Sequence, residues 1–375
     1  MKQLVSATAA LLATTTLVSA GGIERGVTNF GVLFEEGDYV EFGITSLNPS
    51  VSGDYSAGLA ALGGAASTGN MAEGETLISL SYKNQLTDQL AVGFFINNPY
   101  GAIASYEGGF YDGLAATWES TSTTLVLKYD INDAFSVYGG ARYTVSEAEI
   151  AIPALLNSSG ASSSPAFDYT ATGERDGQTS FVVGAAYERP EIALRVALTY
   201  EQGFTHTFET LENLPAAGVV DLVTTTEVEM PQAITLDFQT GVAQNTLVFG
   251  SIRHVEWSVW EVRPAGFEGA SGGERVTGFD NDTTTYRAGV AQRINPDLAL
   301  IGSIAYEDSK GGEAPRLAPT DGSTSVAVAA RYNMGDMVIT GGVQYVMLGD
   351  AVDGSATDFS DNTATNFGIT MGYRF

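Results

Sequence analysis

The chain has 375 residues, a formal net charge of −27 and a sequence pI near 4.2, which excludes nucleic acid as a partner because phosphates demand a basic face. It contains no cysteine and two histidines, so disulfide frameworks, thiolate metal sites and thiol nucleophiles are excluded. Only 16% of residues are charged, against 44 Gly, 17 Tyr and 18 Phe, a balance suited to strands lined by small residues and girdled by aromatics.

In chain order, residues 1–20 read as a secretory signal peptide. Lys2 is the basic n-region, Leu4 to Val18 the apolar run, and Val18-Ser19-Ala20 a small-residue cleavage site, so the mature chain is expected to begin at Gly21. The run is shorter than a membrane-anchoring helix needs, and no cysteine follows it to carry a lipid. Beyond residue 20 no uninterrupted apolar stretch reaches the roughly 18 residues of a spanning helix. A membrane-resident chain of this kind must close into a barrel, which satisfies every backbone group in lipid. Residues 21–38 are expected to form a short N-terminal segment, a partial plug, and residues 39–375 a transmembrane antiparallel β-barrel.

Alternation of apolar and polar residues marks the strands. Leu90, Val92, Phe94 and Ile96 form one run, Leu125, Leu127 and Tyr129 a second, and Phe181, Val183, Ala185 and Tyr187 a third; each presents one apolar face. Tyr82, Tyr129, Tyr187 and Tyr332 close such runs just before short turns, as one aromatic girdle would. Short polar turns at 84–88, 130–133, 188–190, 243–245, 295–297 and 333–336 alternate with long Gly-, Ser- and Asp-rich stretches at 56–74, 99–115, 153–176, 208–220, 263–281, 310–322 and 349–362. That alternation is the signature of periplasmic turns opposite external loops. It predicts fourteen strands, at 39–55, 76–84, 88–97, 116–129, 135–150, 178–188, 192–206, 222–241, 246–260, 283–294, 298–307, 323–332, 337–348 and 363–375. The eighth carries Pro231, which calls for a bulge or kink. A soluble β-sandwich shows similar alternation, but not together with an export signal and an alternating strand at the carboxyl end.

That last strand places Phe367, Ile369, Met371, Tyr373 and Phe375 on one face. Chains ending so resemble outer-membrane barrels, whose terminal Phe belongs to the signal read by the barrel assembly machinery; Tyr373 and Phe375 are the corresponding residues. Enzyme chemistry finds little purchase. There is no P-loop, His-Glu-x-x-His or dinucleotide glycine fingerprint. His206 and His254 read as ordinary polar residues, and Glu35-Glu36 and Glu307-Asp308 as solvated charge. No catalytic residue, metal site or cofactor is expected.

Several segments together resemble the FadL-type (OMPP1/FadL/TodX) outer-membrane transporters of long-chain fatty acids and other hydrophobic compounds. Leu90–Gly101 (LAVGFFINNPYG) is similar to that family's third strand and its kink. Leu127–Ser146 resembles the next hairpin, and Glu229–Trp260, with Pro231 and Trp257-Ser258, the family's Pro strand, turn and Trp-Ser strand. Glu307-Asp308-Ser309 and Tyr373-Arg374-Phe375 follow in order. The resemblance implies passive uptake of a hydrophobic small molecule, a monomer among outer-membrane lipids, and lateral release at Asn97, Asn98, Pro99, Tyr100 and Gly101. Pro99 removes a ladder donor there and Gly101 permits unusual backbone angles. Exposed loop aromatics Tyr106, Phe110 and Tyr111 would capture ligand, and Arg275 stands where the family keeps a basic residue. Two features depart from the family: the N-terminal segment is short, and the fifth strand ends Glu147-Ala148-Glu149-Ile150, which would repel a carboxylate. The alternatives are an aqueous porin, whose acidic lumen would favour cations, and a structural or adhesive surface barrel.

Overall fold

The computed structural model describes residues 22–157, 168–215 and 218–375; the expected signal peptide lies outside the described residues. Fourteen antiparallel barrel strands are found among them: β1 (Tyr39–Leu47), β2 (Glu75–Gln85), β3 (Leu90–Asn97, resuming at Gly101–Ser105), β4 (Ala115–Asp130), β5 (Phe135–Ile152), β6 (Tyr169–Arg189), β7 (Leu194–Glu201, resuming at Phe204–Leu214), β8 (Val219–Met230, resuming at Ala233–Ala243), β9 (Thr246–Val255), β10 (Thr283–Arg293), β11 (Leu298–Glu307), β12 (Ser323–Met334), β13 (Met337–Leu348) and β14 (Thr363–Arg374). β1 pairs with β14 from Tyr39↔Arg374 to Ser46↔Phe367, closing the sheet on itself.

Burial is inverted relative to a soluble protein. Phe42, Ile44, Leu125, Leu127, Ile369 and Met371 face outward and exposed, while Glu41, Lys83, Lys128, Arg142 and Arg331 are buried in the lumen. An apolar exterior over a polar interior is what a barrel needs in a bilayer. At the short-turn end the outward aromatics stack: the Phe135 and Tyr187 ring centroids lie 4.9 Å apart, and Phe375 lies 6.3 Å from Tyr82 and 6.2 Å from Tyr373. The Phe375 N–H also donates to the Asp38 carbonyl at 3.1 Å, tying the end of β14 to the start of β1.

Several boundaries differ from the sequence reading. The first strand was expected to run to residue 55 but stops at Leu47; after Asn48 only Pro49 and Ser50 pair again with β14, because proline cannot donate to a ladder. The sixth strand starts at Tyr169, and within 208–220, expected as an external loop, residues 208–214 and 219–220 belong instead to the paired top of β7 and β8. In this taller part of the wall the outward residues include Arg175, Glu209, Glu227 and Glu229, all exposed. Once outward positions leave the hydrocarbon they need not be apolar, and the alternation that betrays strands disappears. Pro231 breaks β8 opposite a break in β7 at Gln202-Gly203, so the two halves of each strand pair separately. The ninth strand ends at Val255 and continues as a 3-10 turn, Trp257–Val259.

Residues 22–38 run against inward-facing side chains from many strands. The 3-10 turn Phe30–Phe34 is capped by the Asn29 side chain, which accepts from Gly31 N at 3.1 Å. Phe30 packs edge-on to Phe95 of β3 at 5.4 Å, Phe34 against Tyr138 of β5 at 6.1 Å, and the Arg195 guanidinium of β7 lies 4.5 Å over the Phe34 ring. Lys83 of β2 donates to the carbonyls of Glu35 and Gly37 at 2.7 and 2.9 Å.

A closed barrel resists detergent until heated, so the protein is expected in outer-membrane fractions as a band whose gel migration changes on boiling; recovery as a soluble periplasmic species contradicts the fold. Removing Phe375 takes away both its ring stack and its bond to Asp38. The truncated chain is expected to be exported normally yet to yield several-fold less heat-modifiable barrel.

Candidate functional site

The wall is interrupted where the sequence reads Asn97-Asn98-Pro99-Tyr100. The β2–β3 ladder runs from Gln85↔Ala91 to Leu80↔Ile96 and ends. When β3 resumes it pairs with β4, Gly101↔Glu119 to Ser105↔Ala115, and its other edge is rejoined in the wall only by residues 71–73, through the bridge Ala72↔Ala104 and bonds from Glu73 N to the Ile103 carbonyl at 3.1 Å and from Ser105 N to the Met71 carbonyl at 2.8 Å, while the first residues of β2 make ladder pairs only with β1. Asn98 spans the breach with its side chain: Oδ1 accepts from Ile78 N at 3.2 Å and Nδ2 donates to the Ser120 carbonyl at 2.9 Å. From inside, the N-terminal segment pairs with the broken strand through an antiparallel bridge Glu24↔Tyr100. Arg25 N donates to the Pro99 carbonyl at 2.8 Å and Gly101 N to the Ile23 carbonyl at 2.9 Å. A Cβ at Gly101 would lie 2.8 Å from Glu75 Oε1, so a larger residue there would displace the Glu75 carboxylate. Glu75 in turn stands 3.8 Å from Arg25.

A buried ion network holds this segment. Arg253 of β9 gives Nε and Nη2 to Glu24 at 3.0 and 2.6 Å and Nη1 to Glu201 at 2.7 Å. The other Glu201 oxygen accepts from Arg142 of β5 at 2.7 Å. All the guanidinium edges are occupied, since Arg142 also donates to Ser180 and to the Gln202 carbonyl.

Three adjoining spaces lie above it. A vestibule of about 480 Å³ among the external loops is lined by Arg275, Asp280, Glu307, Lys310, Glu313 and Arg316. It shares Val276, Thr277, Phe279 and Leu317 with an apolar pocket of about 80 Å³ walled by Trp118, Phe208, Val228 and Trp260. That pocket shares Ile23, Ala102, Ala104, Leu317 and Ala318 with a space of about 90 Å³ bounded by Arg25, Ala72 and Glu75, against the interrupted wall. Trp118 meets Phe208 at 5.4 Å and Trp260 at 5.9 Å, both edge-on. Trp260 and Phe279 come from the β9–β10 connection, which folds inward. Its helix Ala265–Ser271 is fastened by the buried Glu212 carboxylate, which accepts from the N–H groups of Gly266 and Phe267, each at 2.9 Å.

The sequence profile of the outer membrane protein transport protein family (OMPP1/FadL/TodX) matches residues 32–373. The chain belongs to this family. It is therefore an outer-membrane transport protein. The fold is similar to the crystal structure of a Pseudomonas aeruginosa FadL homologue, at 14% identity and TM-score 0.72 with 98% of each chain covered. It is also similar to the Ralstonia pickettii toluene transporter TbuX, at 13% identity and TM-score 0.61, covering 91% of this chain and 90% of that one. The P. putida toluene transporter TodX aligns at 13% identity and TM-score 0.63 over 91% and 90%. A sequence comparison with curated proteins gives no match.

Within this FadL-type barrel the residues expected at the wall fall together. Asn97 is buried and its Nδ2 donates to the Gly26 carbonyl at 2.6 Å, Pro99 and Gly101 hold the N-terminal segment, and Tyr100 packs edge-on to Trp257 at 6.0 Å. The expectation of exposed loop aromatics is corrected: Tyr106, Phe110 and Tyr111 are at most 2% exposed and line none of the three spaces. Apolar rings in a Gly-rich loop gain more by packing on one another and on the helix Ala57–Gly63 than by facing water. Tyr106 donates to the Arg316 carbonyl at 2.6 Å. Tyr111 donates to Asp353, and burial together with that carboxylate pushes its hydroxyl up to about 12. Arg275 does line the vestibule, but paired with Asp280 at 2.6 Å. The sequence reading missed Trp118, Phe208, Trp260 and Phe279, although three tryptophans in the whole chain were a signal worth following. It also missed Glu24, Glu201 and Arg253, since nothing in spacing joins residues so far apart.

Breaking a buried ion pair from one side strands its partner charge and costs about 3–5 kcal/mol. Arg253→Ala leaves Glu24 without its guanidinium and Glu201 with one fewer. The variant is expected to convert from the compact to the extended gel form at clearly lower temperature, and a proteolysis assay should find the segment around Glu24 newly cleavable.

Proposed function

We propose that the protein takes up an uncharged hydrophobic small molecule from the cell exterior, holds it in the pocket between Trp118 and Trp260, and releases it sideways through the interruption of β3. The observation that carries this reading is the contrast between the two ends of the lumen. Toward the short turns the interior is occupied by Phe30 to Phe34 and by charged residues, Lys83, Lys128, Arg195 and Arg331 among them. An apolar molecule gains nothing by moving there. Toward the wall, the space adjoining the apolar pocket is bounded by Arg25, Glu75 and Ala102. On this reading residues 22–38 act as the plug that closes the axial route.

Apolar burial contributes roughly 25 cal/mol per Å² without precise hydrogen bonding, which suits a carrier of small hydrocarbons; TbuX and TodX, similar in fold, are toluene transporters. A fatty-acid carboxylate fits less well. Among the described residues the pocket lining contains no Lys or Arg; Glu149 borders it but is exposed, between the inward-packed Ala148 and Ile150, and the nearby guanidinium groups of Arg142 and Arg253 are already paired. The aqueous-porin alternative lacks support, because residues 30–34 and charged side chains occupy the lower lumen.

Ile78 and Asn98 face each other across the breach, joined by the 3.2 Å bond from Ile78 N to Asn98 Oδ1. With no native cysteine in the chain, an Ile78→Cys/Asn98→Cys pair gives a single cross-link. Oxidation is expected to cut toluene uptake into cells at least tenfold and reduction to restore it, with toluene binding to purified protein unchanged. Equal uptake in both states would place the exit elsewhere.

A further inference from the structure

The interruption in the wall has the form of a framed window. Below, Ile78 N bonds to Asn98 Oδ1 at 3.2 Å; above, Glu73 N bonds to the Ile103 carbonyl at 3.1 Å. Between these bonds residues 74–77 and 99–102 form no ladder with each other, a height of about 13 Å at the usual rise per strand residue. Residues 23–25 have taken the vacated edge of β3, with Gly101 N bonded to the Ile23 carbonyl and Arg25 N to the Pro99 carbonyl. Toward β2, no backbone bond joins residues 23–25 to residues 74–77 among the described residues. What spans that side is a pair of side chains, Arg25 Nε standing 3.8 Å from Glu75 Oε2. The Glu75 carboxylate lies over Gly101, its oxygens 2.8 and 2.9 Å from where a Cβ would be, and both side chains line the space next to the pocket.

This pair is built to part. At 3.8 Å it is beyond hydrogen-bond reach, its side chains are 20% and 21% exposed, and ion pairs open to solvent hold weakly. Arg25 also has a second resting contact within its own segment, from Nη1 to the Glu24 carbonyl at 3.1 Å. The neighbouring anchors are of another kind, since Glu24 and Asn97 are buried and bonded to Arg253 and to the Gly26 carbonyl. The pair can therefore separate while the segment stays where it is.

We propose that Arg25 and Glu75 are the gate of this window. Shut, they present two charges to the bilayer and keep lipid tails out of the lumen, because an acyl chain entering between them would strip both of their water. Parted, they let a small uncharged molecule pass without any movement of residues 22–38. This rests on the uptake reading above and names the residues that control its last step.

Ala102→Cys reports on the gate, since Ala102 lines both the pocket and the space beside the window and the chain has no other thiol. In the purified full-length protein reconstituted into phospholipid vesicles, pyrene maleimide dissolved in the bilayer is expected to label this thiol slowly. Adding Glu75→Ala or Arg25→Ala should speed that labelling roughly fivefold or more. The two together should be no faster than the faster single change, because either half alone leaves the window open. A water-soluble sulfonated maleimide, which reaches the pocket through the vestibule, should label all forms at the same rate. Glu119→Ala removes an exposed carboxylate beside the window, opposite Gly101 in the β3–β4 ladder, and should leave both rates as they are. In cells, Glu75→Ala and Arg25→Ala without the added thiol should take up toluene at least as fast as the unaltered chain. Unchanged labelling by the bilayer-borne reagent, equal acceleration by Glu119→Ala, or lost toluene uptake overturns the gate. So does faster water-borne labelling accompanied by new proteolytic cleavage within residues 22–38, the mark of a merely structural role. None of these results bears on lateral release itself, which the Ile78→Cys/Asn98→Cys cross-link tests independently.

Discussion

Everything in this barrel depends on how the backbone groups freed at the break in β3 are satisfied. Within a bilayer an unpaired N–H or C=O costs several kcal/mol, so a strand cannot simply leave its neighbour. Here the freed groups find partners on the inside: Pro99 and Gly101 bond to the N-terminal segment, and Asn98 reaches both flanking strands with one side chain. The segment 22–38 and the interruption are thus a single device. Without the segment the break would be a row of orphaned groups, and without the break the segment would have no edge to pair with.

The same logic explains the cost accepted at Arg253. A buried pair of this kind adds little net stability over well-packed apolar residues, and its value is in specifying position. By fastening Glu24 to β9, and through Glu201 to β5, the network fixes the register in which Ile23 and Arg25 meet the broken strand. An apolar contact could slide by a residue; a guanidinium engaging two carboxylates cannot.

Much of the architecture was legible in the sequence, and the reasons are physical. Fourteen strands, their order and their closure follow from period-two alternation and from turn lengths, since lipid forces every outward residue in the hydrocarbon to be apolar. The reading failed where that force lapses, at the tall hairpins of β5 to β8, whose outward carboxylates erase the pattern. It placed the interruption at Asn97 to Gly101 through the resemblance to the family's kinked third strand, with Pro99, which cannot donate to a ladder, as the chemical reason. It misjudged Tyr106, Phe110 and Tyr111, since aromatic content in a loop says nothing about which way the loop folds. The pocket was invisible for a further reason: Trp118, Phe208, Trp260 and Phe279 come from β4, β7 and one long connection, and only the closed sheet brings them together.

That connection between β9 and β10 hangs on a small attachment. Its helix is fastened through the Glu212 carboxylate and two backbone N–H groups, and backbone donors are indifferent to the side chains around them. Apart from Phe267, which packs on Tyr169 at 4.9 Å, side chains of the stretch that supplies Trp260 and Phe279 can therefore change without disturbing that attachment, while the strands that must pass through export and insertion stay the same. Such a part has the physical character of an exchangeable cartridge: substitutions in it alter the walls of the pocket while the scaffold answers only to the demands of the membrane.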